Sequence, residues 1–329
     1  MRQVRWGILS TANIGRKRVV PAMQLASNGV VTAVASRDLS KAQDFADELG
    51  IPKAYGSYEE LIADPDIDAI YNPLPNSLHH EWSVKCAEAG KPTLCEKPLA
   101  SNAGEAQAIV DAFASRGVLF AEAFMWRFHP QSVRVKALID SGAIGTLRVL
   151  TAAFSFSISN EDDIRLSREL AGGSLMDVGC YCINAMRLMT GEEPHSVRAF
   201  GRIGARSQVD ETLTGILEFP GGALGHFDCS LRAQHRHMIE IRGTEGRIVV
   251  DESFVMPPDR ATTIRMWQSA GGRADVYTEI TVPPANSYTV MAEDFADALL
   301  NNRPPRYAPQ DAVSNMKVID ALLASLPQG

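Results

Sequence analysis

Through residue 122, short apolar runs alternate with stretches of helical spacing, and this alternation leaves few folds open. Residues 4–9, 30–36, 67–72, 92–95 and 118–121 read as buried strands. Between them, 14–25, 39–49, 57–63, 78–89 and 102–115 place apolar residues at three- and four-residue intervals. Strands that are apolar throughout, each followed by a helix, form a parallel sheet covered on both faces. Such sheets bind ligands beyond the carboxyl ends of their strands, so chemistry is sought where the runs stop.

After residue 146 the pattern changes. Residues 147–158, 196–202, 211–219, 223–231, 238–243 and 247–250 read as longer strands, and Pro220-Gly221-Gly222 predicts a hairpin connection. This half is expected to hold a large, mostly antiparallel open sheet with one wide hydrophobic face suited to self-association as a homodimer or homotetramer. Residues 287–326 return to helix with a break at Pro304-Pro305. A chain of 329 residues exceeds one core, so two domains are expected. Their limits are placed at 1–122 and 123–329, with the tail helices packing back on the first.

The first strand runs into Gly7-Ile8-Leu9-Ser10-Thr11-Ala12-Asn13-Ile14-Gly15. Small residues at 10, 12 and 15 hold the spacing of G-x-G-x-x-G, with serine and alanine replacing two glycines. The physical demands are a tight turn, close backbone approach to a pyrophosphate, and close helix–strand packing. A helix beginning near Asn13 would aim its free N–H groups and positive dipole end at the phosphates. Ser10, Thr11, Ala12, Asn13 and Ile14 are therefore candidate dinucleotide contacts, and the first domain is expected to be a Rossmann domain in an α/β protein. The second strand ends at Ser36, followed by Arg37, with Lys41 a helical turn further on. A hydroxyl and two cations suit a ribose 2′-phosphate, which a carboxylate would repel, so NADP is expected over NAD. Asp38 would favour NAD if it pointed inward, but its position before a helix also suits an N-terminal cap.

The formal net charge of −7 gives no global field for nucleic acid or an anionic membrane. No apolar run reaches bilayer length and no leader pattern precedes the first strand, so a cytoplasmic protein is expected. Five cysteines, at 86, 95, 180, 182 and 229, contain no C-x-x-C pair and read as structural thiols. His235 and His237 would share a strand face, and His79-His80 are adjacent, but neither pair closes a ligand set; no metal is expected.

Three further segments carry a resemblance. They are Tyr71-Asn-Pro-Leu74-Pro-Asn76-Ser-Leu-His79 at a strand end, Glu96-Lys97-Pro98 after the strand ending at Cys95, and Gly172-Gly-Ser-Leu-Met-Asp177-Val-Gly-Cys-Tyr181. In this order they resemble the glucose–fructose oxidoreductase (Gfo/Idh/MocA) family across essentially the whole chain. Phe124-Met-Trp126-Arg127-Phe-His-Pro and Tyr181 look closest to the branch with dimeric dihydrodiol dehydrogenase and NADP-dependent xylose 1-dehydrogenase. Many relatives carry histidine where this chain has Tyr181. The resemblance implies cofactor contacts at Leu74, Asn76, His79, Glu96, Lys97, Trp126 and Arg127. Asn160 and Arg165, in the polar loop before the Asp177 segment, are candidate substrate contacts with Asp177 and Tyr181.

The chemistry of Lys97, Asp177 and Tyr181 fits hydride transfer. Oxidising a hydroxyl-bearing carbon needs a base for the hydroxyl proton, and the reverse reaction needs an acid at the same place. Free tyrosine titrates near 10, and a nearby ammonium would lower that value. The expected roles are Tyr181 as proton carrier, Lys97 as tuner and Asp177 as anchor for substrate or lysine; Lys97 as the direct carrier is the rival. The expected reaction is NADP-linked oxidation at a hydroxyl-bearing carbon of a sugar or polyol. The alternatives are an NADPH-dependent ketosugar reductase and a non-catalytic cofactor-binding regulator.

Overall fold

The computed structural model describes residues 2–270 and 273–327. The chain forms two compact units, Met1–Met125 with Ser287–Val313, and Trp126–Asn286 with Ser314–Gly329.

In the first unit six parallel strands, β1 (Val4–Leu9), β2 (Gly29–Ala35), β3 (Lys53–Tyr55), β4 (Ala69–Asn72), β5 (Thr93–Glu96) and β6 (Phe120–Ala123), lie in the order β3-β2-β1-β4-β5-β6. The strand order reverses between β1 and β4, which opens a crevice at their carboxyl ends. Apart from the edge strand β3, nearly every residue of these strands is buried, as a sheet covered on both faces requires. Three of the covering helices start with a side-chain cap: Asp38 for Leu39–Leu49, Ser57 for Tyr58–Ala63 and Asn102 for Ala103–Ala114. The first helix is not regular. A π turn at Gly15–Val19 precedes the α-helical Val20–Gln24, whose Pro21 sits where no intrahelical donor is needed.

Close packing in this unit falls on Gly7 rather than on Gly15. A Cβ on Gly7 would lie 2.7 Å from Leu61 Cδ2 and 3.0 Å from Ile67 Cγ2, whereas one on Gly15 would meet nothing nearer than 3.8 Å. Gly7→Ala is expected to cost about 1–3 kcal/mol through overpacking, read as a lowered midpoint in denaturant unfolding.

The second unit holds eight strands: β7 (Leu147–Ser157), β8 (Ser196–Ile203), β9 (Asp210–Glu218), β10 (Leu224–Ser230), β11 (Arg232–Gly243), β12 (Gly246–Val250), β13 (Thr262–Ala270) and β14 (Arg273–Val282). Their order is β14-β13-β12-β11-β7-β10-β9-β8, antiparallel except for the central β10–β7 pair. The β9–β10 hairpin turns at Pro220-Gly221-Gly222, with Gly222 at φ 83°. The helix Cys180–Thr190, almost wholly buried, packs on β7 and β10.

The opposite sheet face departs from the expected hydrophobic surface. One cross-strand row reads Arg198, Ile216, His226, Thr151, Glu240, Val249, Arg265 and Glu279 from β8 to β14. Apolar side chains do stand out here, Phe200 at 70% exposure and Ile216 at 50%, with Arg198 directly opposite Ile216. The apolar alternation seen in the sequence belongs to the face under the helix.

Candidate active site

Four loops of the first unit converge at the carboxyl edge of the parallel sheet. Ser10, the residue after β1, has φ 104°, a conformation that favours glycine and costs a serine energy. Its amide donates to the Ala35 carbonyl at 2.9 Å, its Oγ accepts from the Ala12 amide at 3.3 Å, and the hydroxyl reaches the Pro73 carbonyl at 3.5 Å. Ser10 thus ties the β1 loop to β2 through its backbone amide and to the loop after β4 through its hydroxyl. Helical structure starts at Asn13, and the Arg16 amide donates to Ala12 O at 3.0 Å. Strain held at this turn brings backbone, rather than side chain, to the crevice, which suits a diphosphate.

At the end of β2, Ser36 is buried and its Oγ accepts from the Asp38 amide at 3.3 Å. Asp38 turns away into its own helix, accepting from the Ser40 amide at 3.0 Å and the Ser40 hydroxyl at 2.9 Å. The Ser40 hydroxyl, foremost, holds its pKa below the ordinary carboxylate value. Arg37 and Lys41 are exposed beside it, and the Arg37 guanidinium acts on the buried Tyr58 phenol. The carboxylate that could have argued for a 2′-hydroxyl is thereby spent as a helix cap.

After β4, Leu74 is buried and its amide donates to Asn72 Oδ1 at 3.3 Å, while Asn76 opens a short 3₁₀ turn. His79 is fully buried, with Nδ1 3.0 Å from Pro98 O and Nε2 2.7 Å from Leu74 O. Burial lowers its pKa to about 4, so the ring is neutral near pH 7 and donates to one carbonyl at a time. Both ring nitrogens are thus engaged with the loops after β4 and β5, and the role visible here is to pin them together.

Glu96 is the last residue of β5, not the first beyond it. Its Oε1 accepts from Tyr71 OH at 2.6 Å, and burial, with this carboxylate, raises the tyrosine pKa well above 10. The Lys97 amide donates to Glu96 Oε2 at 3.3 Å, and the Lys97–Pro98 peptide is cis. Lys97 itself is half-buried.

In the second unit, Asp177 lies inside a π turn, Leu175–Gly179, closed by the Cys180 amide on Leu175 O. Such turns recur at functional sites, and the π turns at Gly15–Val19 and Leu175–Gly179 both fall in segments singled out from sequence. Tyr181 follows in the first turn of Cys180–Thr190, 6% exposed, its ring 5.3 Å from Phe154 and 5.5 Å from Phe254. His237 also packs on Phe154, at 5.7 Å. Arg165 Nε lies 3.0 Å from Asp177 Oδ2, and another guanidinium nitrogen 3.2 Å from Asp163 Oδ1. Asp177, foremost, raises the arginine pKa further. Asn160 is exposed and its Oδ1 caps the Asp162 amide at 3.1 Å.

Trp126 and Arg127 belong to this unit's buried interior; the indole donates to Asn184 Oδ1 at 3.2 Å and meets Phe254 edge-on at 5.7 Å. All five cysteines are buried free thiols. Among the described residues no group of three or more His, Cys, Asp or Glu could hold a metal, and no helix is long and apolar enough to cross a membrane. Sequence reading missed Tyr71 as a partner of Glu96, the Phe154/Phe254 walls of Tyr181, and Asp210. None carries a local signal, because each is recruited from a segment distant along the chain.

A doubly wound nucleotide-binding unit with a separate sheet unit that presents an aspartate and a tyrosine defines a two-domain oxidoreductase. The chain belongs to the Gfo/Idh/MocA oxidoreductase family: residues 4–124 match its NAD-binding Rossmann fold and residues 132–249 its C-terminal domain. It is 42% identical to D-xylose 1-dehydrogenase (NADP(+)) 2 of Haloferax volcanii, over 98% of each chain. It is 39% identical to the trans-1,2-dihydrobenzene-1,2-diol dehydrogenase of Bos taurus, over 74% of this chain and 72% of the relative. A solved 3-ketoreductase from Actinomadura kijaniata, in complex with NADP and TDP-benzene, superposes with a TM-score of 0.92 at 28% identity, covering 99% and 98% of the two chains.

Proposed function

We propose that this protein is an NADP-dependent dehydrogenase that oxidises a hydroxyl-bearing carbon of a sugar or polyol, with aldose C1 the leading target. The observation that carries the reading is the carboxyl edge of the parallel sheet. There the strained Ser10 turn, the Ser36–Arg37–Lys41 group and the Glu96–Lys97 strand end lie side by side. Bound NADP would supply the hydride acceptor. Ser10 to Ile14 would hold its diphosphate, and Ser36, Arg37 and Lys41 its 2′-phosphate. Tyr181 takes the hydroxyl proton, the Lys97 ammonium favours the phenolate, and Asp177, held by Arg165, anchors substrate or lysine. The walls of Phe154 and Phe254 keep the phenol in one orientation. The name of the Haloferax relative supports the substrate class. Nicotinamide absorbance with aldoses, ketosugars and diols, both cofactors and both directions, tests the reading; no turnover on any sugar or diol despite NADPH binding would sink it.

The likeness to the 3-ketoreductase favours one second reading, NADPH-dependent reduction of a ketosugar by the same groups. Faster turnover in the reductive direction on such a substrate would select it. A homodimer or homotetramer stays a proposal without the hydrophobic face that motivated it; an interface on the open sheet face would be polar, given its mixed row of arginines, glutamates and apolar residues. Light scattering is expected to give at least twice the chain mass at micromolar concentration, with dissociation favoured by high salt; a monomer would count against it.

A further inference from the structure

The helix that presents Asp177 and Tyr181 is anchored at its start by a carboxylate from another strand. Asp210, the first residue of β9, accepts from Ser174 Oγ at 2.7 Å and from the Leu175 amide at 2.7 Å. The fit is tight: a Cβ on Gly173 would lie 2.3 Å from Asp210 Oδ1, and Gly173 has φ 118°. Only glycine both adopts that backbone and leaves the carboxylate room. Of the two residues it grips, Ser174 precedes the turn carrying Asp177 and Leu175 opens it.

This carboxylate is 4% exposed and forms no ion pair among the described residues. From the loop packed on Gly172 and Gly173, the nearby charge is Arg165, which is committed to Asp163 and Asp177. From β10, Cys229 meets Ser174 Oγ at 3.5 Å as a protonated thiol whose pKa burial raises, with Asp210 and Cys180 adding to the rise. Within β9, Glu211 pairs with Arg232 and accepts from Ser207. Burial thus raises the Asp210 pKa from 3.8 to about 6, opposed mainly by the Ser174 hydroxyl and the Leu175 amide.

A carboxyl whose folded pKa exceeds its unfolded value binds its proton more tightly when folded. The ionised form therefore costs stability above pH 6, and that cost disappears as pH falls between about 6 and 3.8. A buried charge kept at such a cost needs a purpose other than stability. We propose that Asp210 is a positioning residue: its ionised carboxylate fixes the Ser174–Leu175 start of the helix and so sets the orientation of Asp177 and Tyr181. The inference rests on the proposed roles of those two residues and adds a new member to their machinery.

Asp210→Asn keeps the shape but turns one acceptor oxygen into a donor facing amides. Three readings are expected to move together in the full-length enzyme. Hydrogen exchange across 174–182 quickens at least tenfold, kcat falls at least tenfold with NADP affinity unchanged, and the acid limb of kcat near pH 6 disappears. Ser174→Ala keeps the charge but removes one stabilising hydrogen bond, so that limb should move to higher pH; this decides the matter if the asparagine variant does not fold. Unchanged exchange at 174–182, or an acid limb unmoved in both variants, overturns the proposal. Tyr181→Phe run in parallel separates the two ideas. Full activity in that variant defeats the proposed function, while the exchange result still judges Asp210.

Discussion

Tyr181→Phe is expected to lower kcat by roughly 10²- to 10⁴-fold, the usual contribution of a positioned acid–base group. The ring packs against the stacked pair Phe154 and Phe254, so phenylalanine should keep the packing and remove only the hydroxyl. Folding, NADP binding and KM for the sugar should therefore change little. Loss confined to kcat identifies an interaction made in the transition state. Stopped-flow single turnovers give the cleanest reading because they exclude product release. If the hydride step keeps its rate, Tyr181 is not the proton carrier and Lys97 takes the role. Lys97→Met should then be the variant that abolishes the hydride step.

Ser36→Asp is expected to invert cofactor preference. The substitution places a carboxylate at the end of β2, where Ser36 is buried beside Arg37. A 2′-phosphate there loses one hydroxyl partner and meets a like charge. At about 1.5–3 kcal/mol for a hydrogen bond to a charged group, plus the repulsion, kcat/KM for NADP should fall roughly 10²- to 10³-fold. NAD should gain, because a carboxylate at this position accepts from the ribose hydroxyls. The measurement is kcat/KM for both cofactors at one fixed sugar concentration. Unchanged discrimination would show that the 2′-phosphate is held elsewhere.

The cofactor-binding unit was legible because its signals are local. Apolar runs, caps at Asp38, Ser57 and Asn102, and a small-residue loop after the first strand all act over a few residues. Reading failed where an element borrows its reason from elsewhere. β3 is a three-residue edge strand whose only strand partner among the described residues is β2, too short to show a period. β13 and β14 carry many polar residues because one face lies open to solvent, and that hid two of the eight strands. A single helix was expected from residue 14 to 25, but a π turn and Pro21 divide it.

At the candidate site the division follows the same line. Sequence alone determined which residue types stand at the strand ends and at the start of the second-unit helix: Ser10, Ser36, Glu96, Lys97, Asp177 and Tyr181. Chemistry and spacing are properties of neighbours along the chain. Only the tertiary structure decided what each side chain faces. Asp38 spends its charge on its own helix, His79 is locked between two carbonyls, and Arg165 clasps Asp177. Asp210 reaches 35 residues back from its own strand to hold the Leu175 amide. Such pairings join segments far apart in the chain, and their energies depend on burial that no local pattern encodes.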